Sequence, residues 1–380
     1  MTIKWPSPQP PSLRFISPSV ASELDTCRLR AAFSRDPDFR FLRRLSQYAV
    51  AGVIAHAVYE RVAKHDYDFP IGGDAASVLI ALWDEEVARV RDQFQRSWEP
   101  AVVPAPNQWP NMARTRRALL RSQVSRVVPG DRPALTSAGN GQAKHGKASA
   151  PSPGSLPWVE QRLIDDERGI EGTPDRVERH EEGVWVLDLK SGWNQGEATS
   201  SQRQQLLVYA HLVGETLGER PTHAAIDARK GRFSIPLDWD EVTKEIERLT
   251  ELRAEFNGSV SSKSRVDWLA EPAPENCRYC PYRPVCQASQ VAIDQDWRLP
   301  LVVTGQVTSI QTIDHSVAVD LEVSYPAWLA GTNMRIVDVV WRRPPAAGNI
   351  VSVARVNLSN DMRTLIGAWN SVTAHLSSGE

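Results

Sequence analysis

GTPDRVERHEEGVWVLDLKSG, residues 172–192, turns at Gly-Thr-Pro and places an acid at Asp175. It turns again at His-Glu-Glu-Gly and ends in an apolar run that carries Asp188 and Lys190. The run predicts a strand over 183–190, joined through HEEG to a strand over 170–179 as a hairpin. Side chains at i and i+2 of a strand face the same way, so Asp188 and Lys190 project together, with Leu187 and Leu189 opposite. The preceding VWVL is apolar, so the strand is at least partly buried, and a carboxylate and an ammonium at its end are costly without partners. Asp175 can meet Asp188 across the hairpin. Two carboxylates aimed at one point repel unless a cation neutralises them. A hard divalent cation, Mg²⁺ or Mn²⁺, prefers such oxygen ligands. Taken alone, Asp188 and Lys190 fit a surface ion pair on a hairpin equally well.

Upstream the pattern is helical. SPSVASELDTCRLRAAF (17–33) opens on a capping-type serine. YAVAGVIAHAVYERVAKH (48–65) has apolar residues at helical spacing and predicts a buried helix. A further helix is expected over 75–98. NMARTRRALLRSQVSRVV (111–128) predicts a basic helix whose Arg114, Arg117 and Arg121 share a face. A Gly/Pro/Ala/Ser-rich stretch over 129–157 has almost no aliphatic periodicity and reads as a low-complexity insertion. Downstream of the hairpin, SSQRQQLLVYAHLVGETLG (200–218) predicts a helix with glycine at its end. PTHAAIDARKGRFSIPL (221–237) predicts two strands, and WDEVTKEIERLTELRAEFNG (239–258) an amphipathic helix ending at Asn-Gly. After residue 296 the texture is β-rich, with a closing helix expected in DMRTLIGAWNSVTAHL (361–376). This segment reads as a separate β-barrel or sandwich of small-domain size.

The whole chain has 380 residues and a formal net charge of −2. The length suits about two domains. The charge excludes a uniformly basic nucleic-acid binder, so an anionic partner must meet a local patch. No apolar run reaches the ~20 residues of a membrane span, and the Pro-rich start lacks the apolar core of a signal peptide. A cytoplasmic location is expected. The chain has four cysteines, too few for a secreted disulfide framework. Three are clustered in CRYCPYRPVC as Cys277, Cys280 and Cys286, and the fourth, Cys27, is remote. Four thiolates suit zinc or an iron–sulfur cluster.

GTPDR with LDLK resembles the active site of PD-(D/E)xK nucleases, in the RecB-type branch. Two further motifs carry the resemblance: QLLVY, with Gln205 and Tyr209 one turn apart, and AGVIAHAVYE, with Gly52 and His56. The resemblance implies an α/β, restriction-endonuclease-like mixed sheet flanked by helices, over 1–296. It implies a metal held by His56, Asp175, Asp188 and the main-chain carbonyl of Leu189, with Glu160 as an extra acidic ligand. An imidazole ligand favours Mn²⁺ over sites built from oxygen alone. Lys190 would position a water or stabilise charge on the phosphate, Gln205 and Tyr209 would orient, and Glu60 would support the ligands. The cysteine layout is similar to the iron–sulfur staple of AddAB-type and CRISPR-adaptation exonucleases, which implies a structural 4Fe–4S cluster on Cys27, Cys277, Cys280 and Cys286, with zinc as the alternative. Arg278, Tyr279 and Arg283 beside it are candidate DNA contacts.

The activity implied is metal-dependent DNA cleavage on single strands or ends, in repair, recombination or defence against foreign DNA. A non-catalytic nucleic-acid-binding or scaffold subunit of a helicase–nuclease complex, and an RNA-directed nuclease, are the rival readings. No G-x-x-x-x-G-K-[ST] motif is present, so a helicase would act in trans. The β-rich segment over 297–380 reads as an OB-like domain whose Arg335, Trp341, Arg342, Arg343 and Arg355 are candidates for a nucleic-acid face. Arg114, Arg117 and Arg121 are candidates for a phosphate track.

Overall fold

The computed structural model describes residues 3–43, 47–69, 73–95, 109, 111–127, 156–190, 198–228, 231–262, 266–293, 297, 301–313, 316–368 and 371–379. The low-complexity stretch therefore lies outside the described residues, except for its last two positions.

The chain begins with β1 (Ile3–Lys4), α1 (Pro18–Thr26) and α2 (Arg28–Arg35). The Ser17 hydroxyl caps α1 by accepting from Val20 N. Three helices follow: α3 (Gln47–Ala63), α4 (Ala75–Gln95) and α5 (Met112–Gln123). They share an apolar core in which Ile54 and Val58 of α3 meet Leu79, Leu82 and Trp83 of α4 and Leu119 of α5.

The next strands are β2 (Trp158–Val159), β3 (Leu163–Asp165), β4 (Ile170–Gly172), β5 (Arg176–His180) and β6 (Gly183–Lys190). The chain breaks at Thr173–Asp175, so the strand expected over 170–179 is two strands, and Asp175 sits at the bend before the second. The HEEG hairpin forms as expected, with His180 opposite Gly183. α6 (Ser200–Leu217) then crosses to β7 (His223–Ala228), which lies parallel to β6, and β8 (Gly231–Pro236) returns antiparallel. A parallel pair needs such a crossover. The sheet runs β2-β5-β6-β7-β8. Val184 and Val186 of β6 and Ala224 and Ile226 of β7 bury their side chains in one core with Leu206, Val208, Leu212 and Val213 of α6.

α6 starts at a capping box between Thr199 and Gln202 and ends at Gly218 in the left-handed region. α7 (Trp239–Ser261) runs past the Asn-Gly expected to end it. Asn257 instead ties the N-terminal arm down, accepting from Leu13 N at 2.7 Å and donating to Leu13 O at 3.0 Å. Of the clustered cysteines, Cys277 ends the short helix α8 (Pro274–Cys277), Cys280 follows in the turn, and Cys286 caps α9 (Gln287–Ala292).

The remaining strands are β9 (Leu301–Ile313), β10 (Ser316–Tyr325), β11 (Asn333–Val337), β12 (Ile350–Leu358), β13 (Thr364–Ile366) and β14 (Val372–Ser378). β9, β10, β11, β13 and β12 pair in that order, and β12 pairs back onto β9, so the strands close a ring. The β11–β13 pair is parallel and the others in the ring are antiparallel. The closing helix expected over 361–376 is two strands. Its apolar spacing matched a helix, but Leu365, Val372 and Ala374 are buried by strand pairing, and tertiary context overrides propensity. β1 adds to β14, so the N-terminus joins the same sheet as the C-terminus.

Candidate active site

β6 lies between β5 and β7, so the acid and the lysine at its end belong to a central strand. Asp188 faces the α6 side, opposite Ile226 of β7, and is 2% exposed. The hairpin register sets Arg176 against Leu187. This brings Asp175, one residue earlier, beside the end of β6, where its Oδ2 accepts a hydrogen bond from Leu189 N.

α3 reaches the same point from the other side. His56 Nδ1 lies 3.4 Å from Asp175 Oδ1 and 3.3 Å from Glu160 Oε1. Glu160 follows β2 and adopts φ +50°, in the left-handed region that non-glycine residues seldom take. Its amide donates to Asp175 O at 3.1 Å, which holds the turn in place. Ligand atoms of His56, Glu160 and Asp175 all lie within 4.8 Å of one another.

A polar chain extends from this cluster into α6. Lys190 Nζ is 2.7 Å from Asp188 Oδ2 and donates to Gln205 Oε1 at 3.1 Å. Gln205 Nε2 donates to Tyr209 Oη at 2.8 Å. The Gln205–Tyr209 spacing of one helical turn places both on one face, as the sequence predicts. Gly172 lets α6 come this close, since a Cβ there would stand 2.8 Å from the Tyr209 ring.

The electrostatics are those of crowded acids. Burial, reinforced by the Asp175 charge and offset by Lys190, pushes the Asp188 carboxyl up to about 6. Burial also raises Glu160. Burial alone would lower the His56 pKa, but hydrogen bonds to Asp175 and Glu160 overcome it and push it up to about 10. Without a metal the imidazole is therefore the cation between two carboxylates, the position a divalent ion suits better. Burial raises the Tyr209 phenol, which stays protonated as a hydrogen-bonding group. An imidazole and three carboxylates fit a divalent cation.

A family model described as the PD-(D/E)XK nuclease superfamily matches residues 16–287. The chain belongs to the PD-(D/E)XK nuclease superfamily. No curated protein matches it. Members of the superfamily are generally nucleases that use divalent metal ions. Among the residues expected of such a nuclease, His56, Asp175, Asp188, Leu189, Lys190, Gln205 and Tyr209 are all brought to one place, and Glu160 joins them. Glu60 pairs with Lys64 and lines the groove beside His56. A second charged cluster was not anticipated. Asp227 of β7, opposite Leu189, is gripped by Arg232 at 2.7 and 2.9 Å and approached by Arg126 at 3.5 Å, and Arg126 also reaches the Tyr59 hydroxyl at 3.2 Å. Its signal was an acid near the end of the apolar run AAIDA.

Cys27, Cys277, Cys280 and Cys286 line one cavity together with Arg30 and Arg283. All four are free thiols. Burial pushes the Cys280 thiol up to about 12 and raises Cys286 as well. Among the described residues the only group of three or more whose ligand atoms all lie within 4.8 Å is His56, Glu160 and Asp175. Arg283, expected at a DNA-contacting surface, is 1% exposed and forms part of the cavity wall. Tyr279 is exposed, under the Arg278 guanidinium.

The five C-terminal candidates for a nucleic-acid face do not all look outward. Trp341 packs against the core of the ring, Arg342 lies over the Phe41 ring, and Arg355 donates to Tyr279 O at 3.4 Å. Arg114, Arg117 and Arg121 are exposed on α5.

Proposed function

We propose that the chain is a RecB-type, metal-dependent DNA nuclease. The observation that carries this reading is the meeting of His56 Nδ1, Glu160 and Asp175 within 4.8 Å, beside a buried Asp188 paired with Lys190 at 2.7 Å. His56, Asp175, Asp188, Glu160 and the Leu189 carbonyl would hold Mg²⁺ or Mn²⁺. When bound, such an ion supplies charge to a phosphate oxygen and lowers the pKa of a water. In the reaction, water adds to phosphorus, one P–O ester bond breaks, and the leaving oxygen takes a proton, giving a phosphomonoester and a free hydroxyl. Lys190 stabilises the charge that develops on the phosphate. Gln205, held by Tyr209, fixes the lysine so that its reach costs little reorganisation.

The four cysteines would carry a 4Fe–4S cluster that staples α1 and α2 to the loop at 277–286. The lining of one cavity by all four cysteines supports a shared occupant, with zinc as the alternative to the cluster. Residues 1–296 would form the nuclease domain. The ring at 297–380 would be an OB-like domain, a reading supported by its closed pairing order and the parallel β11–β13 pair. Arg114, Arg117 and Arg121 would track phosphates. The setting would be cytoplasmic repair, recombination or defence, with a helicase partner in trans.

Cleavage of end-labelled single- and double-stranded DNA and of RNA by anaerobically purified protein tests this, with Mg²⁺, Mn²⁺ or EDTA and Lys190→Ala alongside. Metal-dependent DNA cleavage that the variant loses is expected. A folded wild type that binds DNA without cutting it would instead be a binding subunit, and preferential RNA cleavage would change the substrate.

A further inference from the structure

α3 is apolar on nearly every side, and such a helix is normally covered all round. One side is covered: Val50, Ile54, Val58 and Val62 lie in the core with α4 and α5. The other side is open, with Tyr48 78% and Val53 58% exposed. Ala49, Gly52, Val53 and Ala57 wall a groove of about 510 Å³ that ends at His56, Glu60 and Glu160. Tyr48 stands on the same helical row as Gly52, His56 and Glu60, about 12 Å from His56 at 1.5 Å per residue.

Among the described residues the lining holds no lysine or arginine, and its charged groups are Glu60 and Glu160. Along that described wall a phosphate backbone meets no counter-charge, whereas a base has aliphatic surface to lie on, with the exposed Tyr48 ring one helical turn before Gly52. Bases in a duplex are stacked and paired inward. Only an unpaired strand can turn them toward the helix, and stacking on an aromatic side chain is tolerant of sequence. The groove also runs into the candidate metal ligands, so a strand being cut there must lie against it. Resting on the nuclease reading above, we propose that the open face of α3 seats the unpaired bases of a single-stranded DNA substrate a few nucleotides from the scissile phosphate, with Tyr48 as the stacking platform.

The test measures binding of a fluorescent oligothymidine to the full-length protein by anisotropy in Ca²⁺, with a hairpin duplex as competitor. Tyr48→Ala, Tyr48→Phe and Tyr48→Trp are compared, together with Mn²⁺ affinity and thermal stability. Tyr48→Ala is expected to weaken single-strand binding by about 5- to 100-fold. Tyr48→Phe and Tyr48→Trp should stay within about 2-fold of the wild type. Duplex binding, Mn²⁺ affinity and melting temperature should not move. Unchanged single-strand binding by Tyr48→Ala would overturn the proposal, as would an equal loss on the duplex. The nuclease reading fails separately: a wild type that binds single strands through Tyr48 but cuts nothing leaves the groove standing, and one that cuts normally without needing Tyr48 removes the groove alone.

Discussion

Replacing Lys190 with alanine tests the centre of the site. Its Nζ lies 2.7 Å from Asp188 Oδ2. At an effective dielectric of about 20 that contact is worth about 6 kcal/mol of gross attraction. Asp188 is 2% exposed, so much of this offsets the cost of burying the carboxylate. The lysine side chain is 29% exposed, which weakens the pair further, and a net loss of about 2 kcal/mol is expected. The metal-free variant should melt about 3 °C lower. Mn²⁺ should restore more of that loss than it adds to the wild type, because the ion replaces the missing positive charge. The rate is expected to fall further, by about 100- to 1000-fold in kcat, as for removal of one group that stabilises transition-state charge. Single-turnover cleavage of labelled DNA with calorimetric melting, each with Mn²⁺ and with EDTA, gives all of these numbers. A variant within about 3-fold of the wild-type rate, or one whose melting loss Mn²⁺ does not narrow, would refute the reasoning and leave Lys190 as an ordinary structural ion pair.

Gly172→Ala should cost about 1–3 kcal/mol by overpacking, because its Cβ would stand 2.8 Å from the Tyr209 ring; cleavage should drop with stability, and a stable, fully active variant would show that Tyr209 need not be held. Asp165, hydrogen-bonded by His211 at 2.8 Å and Arg168 at 3.2 Å, is destabilised as an anion by burial but held below the usual carboxylate range by those bonds and the Arg168 amide. Its charge therefore stabilises the fold at neutral pH, and that contribution is lost as the pH falls from the ordinary value near ~3.9 through the lower folded one. Asp165→Asn should lower the urea midpoint at pH 7 and approach the wild type as the pH falls through the lowered folded value; a constant gap would contradict the assignment. On the iron–sulfur reading, Cys280→Ala should lose iron and brown colour and melt at a lower temperature; iron retained at wild-type content would sink the staple.

Asp188 and Lys190 were legible because a strand repeats every two residues and the hairpin signal fixed its ends. Gln205 and Tyr209 were legible because a helix repeats every 3.6. Glu160 was named as an extra ligand only through the resemblance, for it has no such periodicity: it stands at a left-handed turn after a two-residue strand, and what carries it to His56, the path of the chain, is hidden in the sequence. The cluster of Asp227, Arg126 and Arg232 was hidden for the same reason, since Arg126 lies about 100 residues before Asp227 in sequence and meets it only through the packing of α5. The C-terminal segment misled in the opposite way. LIGAWNSVTAHL offers apolar residues at helical intervals, yet a Cβ on Gly367 would stand 2.3 Å from Val339 and 2.9 Å from Asp338 O. That close approach comes from strand pairing, which local spacing does not encode.

The charge balance of the site argues for the kind of ion it takes. Asp175, Asp188 and Glu160 bring three carboxylates to one end of the sheet, and Lys190 brings one ammonium. In the metal-free protein the protonated His56 supplies a second positive charge, its pKa pushed up to about 10. One negative charge is still in excess, and the Asp175 charge adds to the burial that raises Asp188 and Glu160. A divalent cation would displace the imidazole proton, since a metal takes histidine in its neutral form. Three carboxylates, one ammonium and one doubly charged ion then balance. A monovalent ion would leave the excess in place, and a trivalent ion would reverse it. Lys190 would enter this balance as well as the chemistry, so its removal should raise the site's demand for the metal even as it slows turnover.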